Sequence, residues 1–161
     1  MNSLILCKKN NLNFECNFMG EWIKDEEKNY YFDLIKQNEL KDNIHFYGLI
    51  TDEKKWTIYM NNAVLIHPTF WDGQPLSILE AMGIGMTIIS TKVGAIPETV
   101  INGHNGIILD ENKPELLYKA IEKFYFDRKY LEIISRNNID IYCKRFTNKI
   151  FLNNLKNWLE E

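Results

Sequence analysis

Asp72 and Glu80 are the two acids whose placement suits ligand chemistry, in a stretch that runs from His67 to Pro97. A strand-like run from Ala63 to Ile66 ends at Pro68, and a short turn then carries Asp72 and Gly73. Pro75 suits the first position of a helix, where its missing N–H costs nothing. The backbone amides of Gln74, Leu76 and Ser77 are then free to face an anion. A helix over Pro75 to Gly83 puts Glu80 more than a turn inside it. At about 1.5 Å of rise per residue, the positions from Asp72 to Glu80 span roughly 12 Å or less. That span suits an extended phosphate ester with hydroxyls at both ends.

Each of these residues also has a plainer reading. Glu80 lies among Leu76, Ile78, Leu79, Ala81 and Met82, where a carboxylate is costly unless it is paired or reaches a polar cleft. Asp72 serves either as the helix N-cap or as a ligand contact, and the two roles are compatible. Gly94 and Ala95 form either a backbone loop near the ligand or a tight turn. Glu98 follows Pro97 at a helix start, where a negative charge favours the dipole with or without a ligand. His45 alternates within a strand and His104 sits in an Asn-Gly turn, so neither reads as catalytic. His67, at a strand end beside Asp72, either lines the cleft or is a hydrogen-bonded structural histidine. No nucleophile with a partnered base and no Asp-x-Asp metal motif is visible, which points to metal-independent binding.

The elements that must hold these residues alternate strand and helix, the pattern of an α/β domain with a mostly parallel sheet. Helices are expected near Asp25 to Asn38, Thr51 to Asn61, Pro75 to Gly83, Pro114 to Phe126 and Arg128 to Cys143, followed by Thr147 to Leu159. Strands fall between the first five of these at short apolar runs such as Ala63 to Ile66. Gly20, Gly48, Gly94 and Gly106 sit at or beside strand ends, and the carboxyl ends of the strands form the expected ligand edge. The last helix, over 147–160, carries Phe151, Leu155, Trp158 and Leu159 as an apolar stripe. That stripe is expected to pack on its own domain or to cross toward another, and in either case Trp158 should not be freely solvated.

At 161 residues the chain reads as a single domain, 1–161, able to bury about two thirds of the surface its unfolded form exposes. With 45% hydrophobic and 13% aromatic residues it has the material for a core. A net charge of −3 with interspersed signs excludes a nucleic-acid face. Cys7, Cys16 and Cys143 are odd in number and widely spaced, which argues against a disulfide framework or a zinc site. The longest apolar runs are strand-sized and no signal peptide is visible, so a cytoplasmic location is expected, at the inner face of the membrane through a partner.

The run Asp72-Gly-Gln-Pro-Leu-Ser-Ile-Leu-Glu80-Ala-Met resembles the Glu-x7-Glu element of the family-4 (group 1) retaining glycosyltransferases, in the nucleotide-binding C-terminal domain of the GT-B fold. The likeness extends over residues 3 to 125: Asn13 to Gly20, Ile44-His-Phe-Tyr-Gly48, Thr87 to Ser90, Val93 to Glu98 and Asn102 to Ile108 all resemble family segments in one register. The resemblance implies a Rossmann-like three-layer domain and makes Asp72 and Glu80 the catalytic candidates. It implies Glu80 on the ribose, Asp72 at the donor sugar, and the turn and amides of Gly73, Gln74, Pro75, Leu76 and Ser77 on the diphosphate. Gly20, Gly48, Leu49 and Gly94 complete the implied donor-nucleotide set, with the base meeting the loop after Gly48.

The chain departs from the family pattern in places. Asp72 is one methylene shorter than the family's Glu, Thr87 stands where Pro is usual, and Ala95 replaces a second Gly. The strand and loop that supply an Arg and a Lys to the diphosphate have no counterpart, and the first residues read as the helix that follows them. Lys8 and Lys9 fit a solvated helix end. In the family's sheet that strand is central, so unpaired strand edges, marginal stability or self-association are expected of this chain.

The implied function is a donor domain for a nucleotide-diphosphate sugar such as a UDP- or GDP-sugar, with no other cofactor, serving retaining transfer in polysaccharide or glycoconjugate synthesis. A glycan or lipid-linked acceptor is expected only with an N-terminal partner domain, and no nucleic acid is expected. The alternatives are a non-catalytic nucleotide-binding remnant or interaction module and, in a third place, a sugar-nucleotide epimerase.

Overall fold

The computed structural model describes residues 1–160, the side chain at position 52 excepted. By its internal contacts the chain forms two compact units: Met1–Ile58 with Lys113–Tyr125, and Tyr59–Asn112 with Phe126 onward. Among the described residues no helix is long and apolar enough to cross a membrane.

The first unit begins with α1 (Asn2–Lys9) and the short strand β1 (Cys16–Phe18), followed by α2 (Asp25–Gln37) and β2 (Ile44–Phe46). It also takes most of α3 (Asp52–Met60). β1 and β2 pair in parallel with Cys16 opposite Ile44 and Phe18 opposite Phe46. Leu4, Ile35, Leu40 and Ile44 are its buried centre, with Ile5, Phe14 and Ile121 packed around them. Three acids, Asp25, Glu26 and Glu27, open α2 and favour its dipole. The Lys8 ammonium donates to Asn43 Oδ1 at 3.0 Å, and Asn43 Nδ2 donates to the Phe14 carbonyl at 2.8 Å. Lys8 therefore ties α1 to the start of β2.

The second unit is built on β3 (Val64–His67), α4 (Leu76–Gly83), β4 (Thr87–Thr91), the single turn α5 (Ile96–Thr99) and β5 (Gly106–Leu109). Its sheet runs β3-β4-β5, all parallel, with His67 opposite Ser90. Every residue of the central strand β4 is buried, as parallel strands covered on both faces are. Its hydroxyls are satisfied within the sheet: Thr87 Oγ1 donates to the Ala63 carbonyl at 3.1 Å and Ser90 Oγ to the His67 carbonyl at 2.7 Å. Threonine at 87 also keeps an amide that donates to Ala63 at 2.9 Å, a bond that proline would remove.

The remaining helices are α6 (Pro114–Phe126), α7 (Arg128–Arg145) and α8 (Asn148–Glu160). α7 starts where Asp127 accepts the Tyr130 amide at 2.9 Å and lies against α4 and β4. Asn138 on α7 is fully buried, donating to the Met86 carbonyl at 2.8 Å and accepting from Asn105 Nδ2 at 3.0 Å.

The α/β class with parallel strands is as the sequence indicates, and several expectations are corrected. Among the described residues the first unit carries the parallel pair β1-β2 and the second the parallel set β3-β4-β5. The segments expected to carry the first two strands are extended in sequence, but only three residues of each make ladder bonds. The apolar stripe of α8 does not pack: Phe151, Trp158 and Leu159 are 64, 71 and 69% exposed, and the helix has no buried residue. Its few contacts in the second unit are with α7, too narrow a seam to cover a stripe of that width.

Candidate functional site

Glu80 and the turn before it come from one strand-loop-helix segment of the second unit. α4 buries Ile78, Ala81 and Met82, an i, i+3, i+4 face, and that choice turns Glu80 to a half-buried position. Beside it, burial and then the charge of Glu80 push the Tyr59 phenol above its ordinary range. Tyr59 is itself only 4% exposed, so the carboxylate sits against a largely dry neighbour.

The helix starts one residue later than its proline suggests. Pro75 is the N-cap, with φ −69° and ψ 119°, and Leu76 is the first helical residue. Ile78 N–H donates back to the Pro75 carbonyl at 3.1 Å. No side chain caps this end, so Asp72 is not the N-cap. The physical reason is that the chain turns extended at Pro75, which carries Asp72 three positions outside the cap, beyond reach of the first-turn amides. Those amides, of Leu76 and Ser77, are left for a ligand or water.

Asp72 is instead held by His67. Nε2 of the imidazole lies 3.1 Å from Asp72 Oδ2, with the two side chains 27 and 28% exposed. The loop that joins them is fastened along its length. Thr69 Oγ1 donates to the Trp71 carbonyl at 2.9 Å, Thr91 Oγ1 to the Thr69 carbonyl at 2.5 Å and Asn112 Nδ2 to the Pro68 carbonyl at 2.6 Å. Gln74 Nε2 reaches Thr99 Oγ1 at 3.4 Å. From the other side, the Ala95 amide donates to the Gly73 carbonyl at 2.8 Å, so the loop of Gly94 and Ala95 rests on the turn of Asp72 and Gly73. Phe70, Trp71 and Leu76 are exposed at 83, 88 and 71%, an apolar rim on the same segment.

The structure thus gathers Asp72, Gly73, Gln74, Pro75, Leu76, Ser77, Glu80 and Gly94 in the second unit. The other expected residues belong to the first. Gly20 and Gly48 lie just past the ends of the neighbouring strands β1 and β2 and are joined by a hydrogen bond from the Gly20 amide to the Gly48 carbonyl at 2.8 Å. They border a cavity of about 560 Å³ whose walls include Trp22, Phe32 and Phe46. Phe32 and Phe46 stack with centroids 5.2 Å apart, and Trp22 lies tilted against Phe46 at 5.3 Å. Leu49, next to Gly48, is 73% exposed.

Sequence reasoning left His67 undecided and missed Thr69. The signal for both was positional: His67 ends the strand that leads into the acidic turn, and a Thr one residue past Pro68 is placed to close a local turn through its hydroxyl. Glu98 lies in the first turn of α5, and its backbone carbonyl accepts from Arg145 at 3.2 Å.

Comparison with known proteins gives a consistent result. The pattern of the family described as "Glycosyl transferases group 1" matches residues 4–140. An uncharacterized glycosyltransferase of Methanocaldococcus jannaschii is 30% identical over 125 residues, 77% of this chain and 28% of that protein. The lipopolysaccharide core biosynthesis mannosyltransferase LpsB of Rhizobium meliloti is 32% identical over 109 residues, 66% of this chain and 30% of that protein. The chain therefore spans about 30% of the length of these relatives. Among solved structures, Anabaena HepE in complex with UDP superposes with a TM-score of 0.86 at 20% identity, covering 99% of this chain and 43% of that one. The C-terminal domain of a group 1 glycosyl transferase from Francisella tularensis gives 0.82 at 23% identity, covering 91% of this chain and 77% of that one. At these identities the structures establish the shared fold.

Proposed function

This chain belongs to the group 1 glycosyl transferases, and from that premise we propose that it is the donor-binding part of such an enzyme, taking a nucleotide-diphosphate sugar. Glu80 binds the ribose hydroxyls, the open amides of Leu76 and Ser77 receive the diphosphate, and Asp72 faces the donor sugar. Gly94 backs the sugar end of the site.

The observation that carries this reading is the combination at α4. A half-buried carboxylate lies inside a helix whose first amides have no side-chain cap, and a second, tethered carboxylate sits just outside that end. Amides at a helix start favour an anion. Charge on a departing nucleoside diphosphate grows as the glycosidic bond breaks, so donors already aimed at it stabilise the transition state more than the ground state. Leaving-group stabilisation serves either stereochemical course, and transfer with retention enters the proposal from the family resemblance alone. The relative named for lipopolysaccharide core synthesis, together with a solved neighbour of more than twice this length, supports a role in polysaccharide assembly with acceptor binding supplied by a further domain.

Calorimetric titration with UDP, GDP and ADP, each repeated on Glu80→Ala, tests the proposal. One nucleotide should bind, and the variant should lose about 1.5 kcal/mol or more, the worth of a hydrogen bond to a charged group. Absence of binding by all three refutes the donor-site reading for this chain.

A further inference from the structure

The pairing of His67 with Asp72 gives the imidazole a use of its own. A carboxylate has no proton to give, so the 3.1 Å contact requires hydrogen on Nε2, with Asp72 Oδ2 accepting it. Among the described residues no protein donor is seen on Oδ1. His67 is fixed in turn by its place at the end of β3. Its carbonyl accepts both the Ser90 hydroxyl at 2.7 Å and the Thr69 amide at 3.0 Å, opposite its register partner in β4.

We propose that His67 is the positioning residue for Asp72: it holds Oδ2 so that Oδ1 is presented in one place to the hydroxyls of the donor sugar. The inference rests on the donor reading given above. A side chain more than a quarter exposed samples several rotamers when untethered, and ordering it on binding costs affinity. A side-chain contact with this much exposure contributes little to stability. The loop is already held by hydrogen bonds at Pro68, Thr69 and Gly73, so fastening the loop does not require the imidazole. What the contact changes is the freedom of the carboxylate. An aspartate has one torsion fewer than a glutamate, so a single tether on one oxygen fixes the other.

The test has two arms on the intact chain. In the first, the imidazole 15N resonances of His67 are recorded by NMR in the wild type and in Asp72→Ala. The wild type should show hydrogen on Nε2 with a signal that moves in the variant, and a signal indifferent to Asp72 overturns the pairing. In the second, affinities are measured for UDP, GDP and ADP and for UDP-glucose, UDP-galactose, GDP-mannose and ADP-glucose, in the wild type, His67→Ala and His67→Gln. The ratio of sugar-nucleotide to nucleotide affinity should fall about fivefold or more in His67→Ala, within the range for a lost charge-assisted contact. Nucleotide affinity itself should stay the same. His67→Gln, whose amide Nε2 can donate at a similar reach, should restore the ratio. A ratio unaltered in His67→Ala overturns the positioning role alone, while no binding of any nucleotide by the wild type overturns the donor reading together with it.

Discussion

The Cβ that Gly94 lacks would lie 2.2 Å from the carbonyl oxygen of Asp72 and 2.3 Å from that of Gly73. The loop after β4 is thus packed, backbone on backbone, against the acidic turn before α4. Gly94 also has φ +51°, in the left-handed region where side chains are strained.

Gly94→Ala is accordingly expected to destabilise the protein by about 2–4 kcal/mol, through a clash with backbone atoms that have nowhere to retreat. Gly73→Ala is the informative control, since a Cβ there meets nothing within 4 Å. It should change stability by under about 1 kcal/mol. Thermal unfolding of the two variants beside the wild type checks the contrast, and equal melting temperatures would refute it.

Asn138→Leu should cost about 2–4 kcal/mol, because it removes both partners' bonds from a site with no solvent. Asn138 and Asn105 are both 0% exposed, and Asn138 Nδ2 holds the Met86 carbonyl at 2.8 Å. Asn105 would keep its bond to the Thr99 carbonyl at 3.1 Å but lose its acceptor on Asn138. The adjacent Asn137 donates to the His104 carbonyl at 2.6 Å from an exposed position, so Asn137→Ala should cost only about 0.5–1.5 kcal/mol. Urea unfolding curves with a common slope distinguish the two.

The three thiols should react unequally. Cys143 is exposed, whereas burial pushes the thiols of Cys7 and Cys16 up to about 11. At pH 8 their thiolate fraction in the native state is then on the order of one in a thousand, and the thiolate is the nucleophile. Iodoacetamide under native conditions should label Cys143 first, with Cys7 and Cys16 modified only after unfolding, as peptide mass spectrometry would show. The same shifts set a pH window. The unfolded thiols ionise near 9.0 and the folded ones near 11, so between these values the folded state holds more protons. Their contribution to stability is intact below pH 9 and is lost as pH rises toward 11. A melting temperature that held level across that range would contradict the assignment.

Much of the helical layer was legible in advance, because each helix carries its own local signals. Asp127 before α7 and the three acids opening α2 mark starts that the structure keeps. Strand extents were less legible. Asn13 to Gly20 and Asn43 to Gly48 read as full strands, yet each contributes three residues to a ladder. Hydrophobic runs report burial, and ladder length depends on which neighbour is there to pair. The stripe of α8 shows the same limit: its periodicity is present in the sequence, and the surface that would cover it is not specified by periodicity.

For the site, the sequence by itself determined the parts that depend on near neighbours: a helix ending at Gly83, a glutamate more than a turn inside it, an acid in the turn before, and a family pattern across most of the chain. These follow from φ/ψ preferences and the 3.6-residue repeat, which act over a few residues. Only the tertiary structure decided that Asp72 is tethered to His67 instead of capping α4, and that Gly94 rests on its carbonyl. Those contacts are set by the parallel register of β3 on β4, which brings His67 level with Ser90 and lays the two following loops against each other. Register is a relation between segments distant in the chain, governed by the burial of whole faces, and no local pattern encodes the distance at which two such loops finally meet.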